Sequence, residues 1–405
     1  MSLPQNINIA DYRYHLPEDR IAKYPLAERD CSKLLMYKNR QISDHIFYKL
    51  PELLDEGSLL IMNNTRVIHA RLYFQRASGA KIEIFCLEPI SPVSDIQLAM
   101  QQTGRCTWKC LVGNAKKWKG EKLFLDINTG HTVCRLEARL AGRLNESFIV
   151  EFSWTPGILT FAQIIEAAGN VPLPPYIHRP AEQSDNERYQ TVYARYDGSV
   201  AAPTAGLHFT SSVLENLKKK NISTTYTTLH VGAGTFKPVQ TDDIKNHVMH
   251  SEQVVIDKKL VEDILNAHGK IIAAGTTTIR SLESLYYIAA NLYTSYILPS
   301  GVGQWEPYDK KMDAFERNLL LENLLKYMRE NGTEQISFST NIIIIPGYRF
   351  KMTDGMVTNF HQPGSTLLLL VSAFLGEYWE TIYDHALNNH YRFLSYGDAC
   401  LFMKE

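Results

Sequence analysis

The sequence predicts an α/β fold: a mixed, mainly parallel sheet with flanking helices, interrupted by an inserted small antiparallel β-barrel domain. Three observations predict it. Apolar strands alternate with helical units early in the chain and again after residue 155, as sheets covered by helices do. Between about 72 and 154 the texture changes to short period-2 runs such as Lys81-Ile82-Glu83-Ile84-Phe85 and Phe148-Ile149-Val150-Glu151-Phe152, set between closely spaced glycines. Five apolar strands end in small and polar residues, and in open α/β sheets ligands bind outside the carboxyl ends of the strands. The expected organisation is a discontinuous α/β catalytic domain (1–71 and 155–405), the barrel (72–154), and an elaboration of the α/β domain at 293–337.

Composition bounds the reading. The 405 residues are 45% apolar and 21% charged, which is globular. With a formal net charge of −1, nucleic-acid contact must come from a local patch. Six cysteines with no C-x-x-C pair read as reduced thiols rather than a disulfide or zinc framework. Asp11, Arg13, Glu18 and Asp19 leave no signal-peptide stretch near the start. The longest apolar run, Leu367 to Leu375, is about half of the ~20 residues that span a bilayer. A soluble cytoplasmic protein with no membrane partner is expected.

Along the chain, Ser58-Leu59-Leu60-Ile61-Met62 is a compact strand that stops at Asn63-Asn64-Thr65-Arg66. After the barrel, Phe161 to Ala168 reads as a helix ended by Gly169. The connector Val171-Pro172-Leu173-Pro174-Pro175-Tyr176 must be extended. Small residues lead into Pro203-Thr204-Ala205-Gly206-Leu207-His208, where Gly206 is free to take a positive φ, and Thr210 caps a helix through Val213 and Leu217. Thr227–Val231 runs into Gly232-Ala233-Gly234, and Lys270–Ala274 runs into Gly275-Thr276-Thr277-Thr278 before a helix carrying Ile279, Leu282 and Leu285. Ala314 to Glu330 reads as an amphipathic helix. The isoleucines after Asn341 read as a strand buried on both sides, and Thr358-Asn359-Phe360-His361 precedes a last apolar helix closed by Gly376.

The strand-end clusters single out Asn63, Thr65, Arg66, Thr204, Gly206, Gly232, Gly234, Thr276, Thr277, Arg280 and Asn359 as candidate substrate contacts. The Gly275–Arg280 turn offers main-chain N–H groups at a helix N-terminus, an anion site or a plain threonine cap. Gly232-Ala233-Gly234 lacks the third glycine of a dinucleotide fingerprint. His208 and His361 titrate near neutrality when unperturbed. His247-Val248-Met249-His250-Ser251-Glu252 does not have H-E-x-x-H spacing, so Glu252 fits an acid–base or acceptor role better than a metal site. Asp398, after Tyr396-Gly397, either returns a carboxylate to the crevice or makes a turn. Lys116, Lys117, Trp118 and Lys119 put lysines around a tryptophan, which suits phosphates and a stacked base of single-stranded RNA, or a solubilising edge hairpin.

Ordered motifs then carry a resemblance: Asn63–Val67, Pro172–Ile177, Tyr189–Ala194, Ala201–Phe209, Leu229–Phe236, His247–Glu252, Gly275–Thr277, Thr358–His361, Ser365–Leu367, Val371–Phe374 and Ser395–Ala399. Together they resemble the S-adenosylmethionine:tRNA ribosyltransferase-isomerases of queuosine biosynthesis, nearly end to end. Three features depart from that pattern: Asn64 stands where aspartate is usual, Gln362 where an apolar residue is usual, and 293–337 is longer than in typical members. The resemblance implies a discontinuous α/β domain holding a β-barrel. It implies transfer and isomerisation of the ribosyl moiety of S-adenosylmethionine, a co-substrate, onto 7-aminomethyl-7-deazaguanine at the tRNA wobble position, with no prosthetic group. The products would be epoxyqueuosine-tRNA, adenine and methionine. For such chemistry the candidate base is His208 or Glu252, the candidate acid His361, and Asp398 an orienting carboxylate. The alternatives are an α/β transferase acting on a free nucleoside and a non-catalytic tRNA-binding protein.

Overall fold

Alternation within the apolar strands decides the architecture. Leu59, Ile61, Ile271 and Ala273 belong to one buried cluster, and Leu60, Met62, Ile272 and Ala274 to another. Successive side chains of a strand point to opposite faces, so these strands lie in a sheet covered on both sides. The computed structural model describes residues 7–128, 132–144, 146–232, 239, 241–309 and 314–404.

The strands are β1 (Lys33–Lys38), β2 (Gln41–Ile46), β3 (Leu59–Asn63), β4 (Thr65–Val67), β5 (Arg71–Gln75), β6 (Lys81–Ser91), β7 (Arg105–Gly113), β8 (Leu123–Asn128) and β9 (Val133–Leu144). They continue as β10 (Ser147–Thr155), β11 (Tyr196–Ser199), β12 (Ser223–His230), β13 (Glu252–Asp257), β14 (Ile271–Ala274), β15 (Gly301–Val302), β16 (Gln335–Thr340), β17 (Gly355–Asn359) and β18 (Ala399–Met403). The large sheet has the order β15-β16-β13-β12-β3-β14-β17-β18-β1-β2. Its centre, β12-β3-β14-β17, is parallel, while β13 and β18 join it antiparallel on either side. The carboxyl ends of β3, β12, β14 and β17 therefore share one edge. β18 starts opposite Asn359, and β1 starts beside β18, so the segments before both strands reach that edge too. Helices Thr276–Ser295, Lys258–Leu265 and Thr366–Leu375 cover one face, and Ser211–Lys219 the other.

A second sheet, β5-β6-β7-β10-β9-β8, is antiparallel throughout. Its edge strands β5 and β8 approach each other, which makes a nearly closed barrel. Phe74, Ile84, Trp108, Leu136 and Phe152 fill it. Helix Phe161–Ala168, started by a Thr160–Gln163 capping box, packs Phe161 onto that core, 5.2 Å from the Trp108 ring and 5.6 Å from that of Phe152. The barrel docks on the large sheet through residues 95–97. Gln97 donates to the Asp197 carbonyl (2.6 Å), and Gln253 donates to Asp95 (2.7 Å) while accepting from the Ile96 N–H (3.4 Å).

Two expectations change. The run Ile342–Ile345 is buried but is not a strand, since β16 ends at Thr340. Ile342 and Ile344 face the large core while Ile343 and Ile345 join Ile9, Ile244 and Leu369. Side chains take the place of a ladder there: Arg280 donates to the Ile342 carbonyl, and the Tyr308 hydroxyl donates to Ile343 O and accepts from Ile345 N–H. Within 293–337, helix Arg317–Glu330 buries Leu320, Leu321, Leu324 and Met328 in the large core, and β15 pairs with β16 at the sheet's edge. No helix among the described residues is long and apolar enough to cross a membrane.

Candidate active site

At the shared edge the strand-end segments line a cavity of about 80 Å³. Its wall is built from Ala201–Ala205, Val231, Gly275–Thr277, Thr358–Gln362, Ser365–Leu367 and Leu394–Ser395, with Tyr176 and Tyr189 from the proline-rich connector region. Helix Thr276–Ser295 points its N-terminus at this space. Its N-cap is Gly275 at φ +94°, a conformation that suits glycine, and no side chain caps it. The first N–H groups of a helix have no partner within it, so they are left as donors at the wall. The threonine-cap reading does not hold, because Gly275 is the N-cap, Thr278 turns its hydroxyl back to Ala274 O (2.6 Å) and Thr277 Oγ1 has no hydrogen-bond partner among the described residues.

Asn359 and Thr204 face the cavity together, with Thr204 Oγ1 donating to Asn359 Oδ1 at 2.9 Å. His208 stands behind them. Its Nε2 is 3.1 Å from Asn359 Nδ2, its Nδ1 2.8 Å from Ser32 Oγ, and its ring lies 5.1 Å from that of Phe47. Burial, helped by the Arg392 charge, pushes its pKa down to about 3. His361 lines the cavity, with Nε2 2.9 Å from Thr358 Oγ1, and burial lowers its pKa to about 4. Burial therefore favours the neutral imidazole at both positions.

Arg280 lies one turn inside the helix, behind the wall. Its guanidinium pairs with Glu252, whose Oε1 accepts from the Gly232 N–H at 3.3 Å. Glu252, Gly232, His230 and His250 line a second, wider cleft between the barrel strands β6 and β7 and the sheet strands β13 and β16. Among the described residues no three His, Cys, Asp or Glu side chains are grouped to hold a metal.

Several sequence candidates are engaged elsewhere. Asn63 is buried and behaves as a piece of main chain: Nδ2 donates to Leu229 O (3.0 Å), while Oδ1 accepts from Leu229 N (3.1 Å) and Thr65 N (3.2 Å). Thr65 Oγ1 is held by Ser199 Oγ (2.7 Å) and His230 Nδ1 (3.2 Å). Neither side chain reaches the cavity. Arg66 pairs with Glu166 and Asp197. Asn64, in the place of the usual aspartate, accepts from Thr228 Oγ1 at 2.7 Å. The Asp398 carboxylate orients no histidine; it accepts from Lys33 N (3.1 Å), Arg392 N (2.8 Å) and the Arg392 guanidinium (3.0 Å). Gly206 has no positive φ; a Cβ there would sit 2.2 Å from Tyr193 Oη. Gly234 lies outside the described residues.

The basic segment is the link from β7 to β8, strands that do not pair, so it is not a hairpin. Lys116, Lys117 and Lys119 are exposed, but Trp118 is 7% exposed, joins the barrel core and donates Nε1–H to Glu121 O. It offers no face for a stacked base. Sequence reasoning missed Tyr176, Tyr189 and Ser395 as wall residues. Tyr176 Oη lies 2.6 Å from Ser395 Oγ, and the signal for all three was their place in segments that carry the family resemblance, Pro172–Ile177, Tyr189–Ala194 and Ser395–Ala399.

A family described as "Queuosine biosynthesis protein" matches residues 9–402 of this chain. Among solved structures the chain is similar to one titled S-adenosylmethionine tRNA ribosyltransferase from Thermotoga maritima. The two share 28% identity over 97% of this chain and 100% of that one, with a TM-score of 0.46. The family match runs through the sheet, the barrel and every segment of the cavity wall, and the chain belongs to the queuosine biosynthesis protein family.

Proposed function

We propose that this protein is an S-adenosylmethionine:tRNA ribosyltransferase-isomerase. It moves the ribosyl moiety of S-adenosylmethionine onto 7-aminomethyl-7-deazaguanine in the anticodon loop of cytoplasmic tRNA, leaving epoxyqueuosine, adenine and methionine. The observation that carries the reading is family membership over residues 9–402, within which Thr204, Thr276, Thr277 and Asn359 line one cavity.

In this proposal S-adenosylmethionine occupies the cavity as co-substrate. Its carboxylate takes the uncapped N-terminus at Thr276 and Thr277, where N–H donors and the helix dipole favour an anion. Neutral His361 hydrogen-bonds the adenine. The sulfonium acidifies the neighbouring 5′ carbon, which extends past Val231, a residue of both walls, into the wider cleft, where Glu252 is the base that removes a proton. Elimination of the ring oxygen from the 4′ carbon opens the ribose to a vinyl sulfonium, and the freed oxygen forms an aldehyde at the 1′ carbon as adenine leaves with a proton. The aminomethyl nitrogen adds at the 4′ carbon and gives up a proton. The 5′ carbanion so formed bonds the aldehyde carbon, and the resulting alkoxide displaces methionine to close the epoxide. Glu252 suits the base role because it lies on the wider cleft, through which a tRNA base approaches, and is held by Arg280 and Gly232. Lys116, Lys117 and Lys119 meet the RNA backbone beyond the end of β7.

The test is adenine release from S-adenosylmethionine, with the tRNA nucleoside read by mass spectrometry. RNA-dependent release with an epoxide-bearing nucleoside is expected, and Glu252→Gln should lower kcat at least about 100-fold, the usual scale for loss of a general base. Release that proceeds equally well with the free deazaguanine base, or none from folded protein that binds the tRNA, would overturn the reading.

A further inference from the structure

Ser32, His208, Asn359 and Thr204 form one hydrogen-bonded file from the interior to the cavity wall, and their partners fix the direction of every proton in it. Asn359 Nδ2 lies 3.5 Å from the Asp398 carbonyl, which can only accept, so the amide nitrogen points to that side. The same nitrogen meets His208 Nε2 at 3.1 Å. Nε2 must then be the unprotonated acceptor, and the proton sits on Nδ1, directed at Ser32 Oγ 2.8 Å away. Flipping the amide would set Asn359 Oδ1 against the Asp398 carbonyl, oxygen facing oxygen. With Oδ1 thereby committed toward Thr204, the Thr204 hydroxyl donates inward at 2.9 Å. Its lone pairs are what it shows to the cavity it lines.

We propose that His208 is a positioning residue that acts through Asn359 to make Thr204 an obligate acceptor at the cavity wall. The cavity then selects a ligand presenting an O–H or N–H donor at that point, and it disfavours an acceptor there. The inference rests on the reading that S-adenosylmethionine occupies this cavity. That ligand supplies such donors as the ribose hydroxyls and the adenine amine. His208 carries no proton in the reaction, because both ring nitrogens are engaged inside the fold and neither faces the substrate. Burial, which keeps the ring neutral, serves this role: an imidazolium would present a second N–H to the Asn359 amide and break the file.

The experiment has two arms. In protein labelled with ¹⁵N-histidine, His208 should show a protonated Nδ1 and an unprotonated Nε2 from pH 7.5 to 5. A protonated Nε2 in that range overturns the proposal. In kinetics, His208→Gln keeps an acceptor carbonyl for Asn359 and should hold KM for S-adenosylmethionine and kcat within about threefold. His208→Leu and Thr204→Val should each raise KM about tenfold with kcat within threefold, and the double variant should be no worse than either single one. A base would behave oppositely: His208→Gln would lower kcat a hundredfold with KM unchanged, and any such loss of kcat overturns the proposal. The labelled spectrum needs no turnover. A correct tautomer in protein that fails to bind S-adenosylmethionine would therefore sink the functional reading and leave the proton file standing.

Discussion

At His208, His230 and His361 burial decides the protonation state before any substrate arrives. Desolvation pushes their pKa values down to about 3, 4 and 4 from an ordinary 6.5. The unfolded chain takes up protons near 6.5 while the folded one waits until 3 to 4, so in between the unfolded state binds more protons. The stability these neutral rings contribute is complete above about pH 6.5 and is lost as pH falls toward 4. The slope is roughly 1.4 kcal/mol per pH unit for each ring. His230 is the clearest test, since it hydrogen-bonds Thr65 Oγ1 and the Gln97 amide and burial outweighs the opposing pull of the Asp95 carboxylate. Denaturant unfolding of His230→Gln between pH 6.5 and 5 should show a pH dependence shallower than that of the unaltered protein by about one proton. Equal slopes would mean that His230 does not stay neutral in the fold.

Among the elements, the cavity wall at Thr204–His208 explains why some of the site was legible in sequence and some was not. The strand ends were legible because the continuous apolar runs of β3 and β14 and the threonine-rich run of β12 stop at small or polar residues. Which of those polar groups the fold itself consumes was not. Asn63 closes its bonds on Leu229, far along the chain, and nothing in the order of residues reveals that pairing. Trp118 reads as exposed among lysines until β8 folds over the barrel. Gly206 likewise reads as a turn glycine, yet what it accommodates is an aromatic ring. Tyr193 cannot retreat, because it packs edge-on to Phe209 at 6.2 Å and against Tyr226 at 5.6 Å. An added Cβ at Gly206 would also lie 2.7 Å from Thr191 Cγ2. Gly206→Ala should therefore cost about 1–3 kcal/mol, the usual scale of overpacking. Gly232→Ala, with nothing among the described residues within 4 Å of the added carbon, should stay within about 0.5 kcal/mol. Chemical denaturation of the two variants side by side decides it, and equal costs would show that the wall is looser than the packing implies.

Over the whole molecule, the two sheets meet where substrate chemistry needs two approaches. The smaller cavity opens on the carboxyl edge of the large sheet, while Glu252 and Gly232 look out on the cleft shared with the barrel. The barrel packs closely at residues 95–97 beside this cleft, where a Cβ on Gly198 would strike Ile96 Cγ2 at 2.3 Å. Gly113, the last residue of β7, lies on that cleft, and the exposed Lys116, Lys117 and Lys119 follow directly. With a net charge of −1 the protein has no general attraction for RNA, so a local cluster must supply it. Each phosphate contact with a single strand releases counterions and adds about 0.7 to the slope of log affinity against log salt. Replacing the three lysines by glutamine, with Trp118 kept so that the barrel core stays intact, should weaken tRNA binding and flatten that slope by about 2 between 50 and 200 mM salt. Binding of S-adenosylmethionine should not change, because none of the three lines its cavity. A triple variant with the original slope would move the RNA to another face of the cleft and leave these lysines as solvated surface.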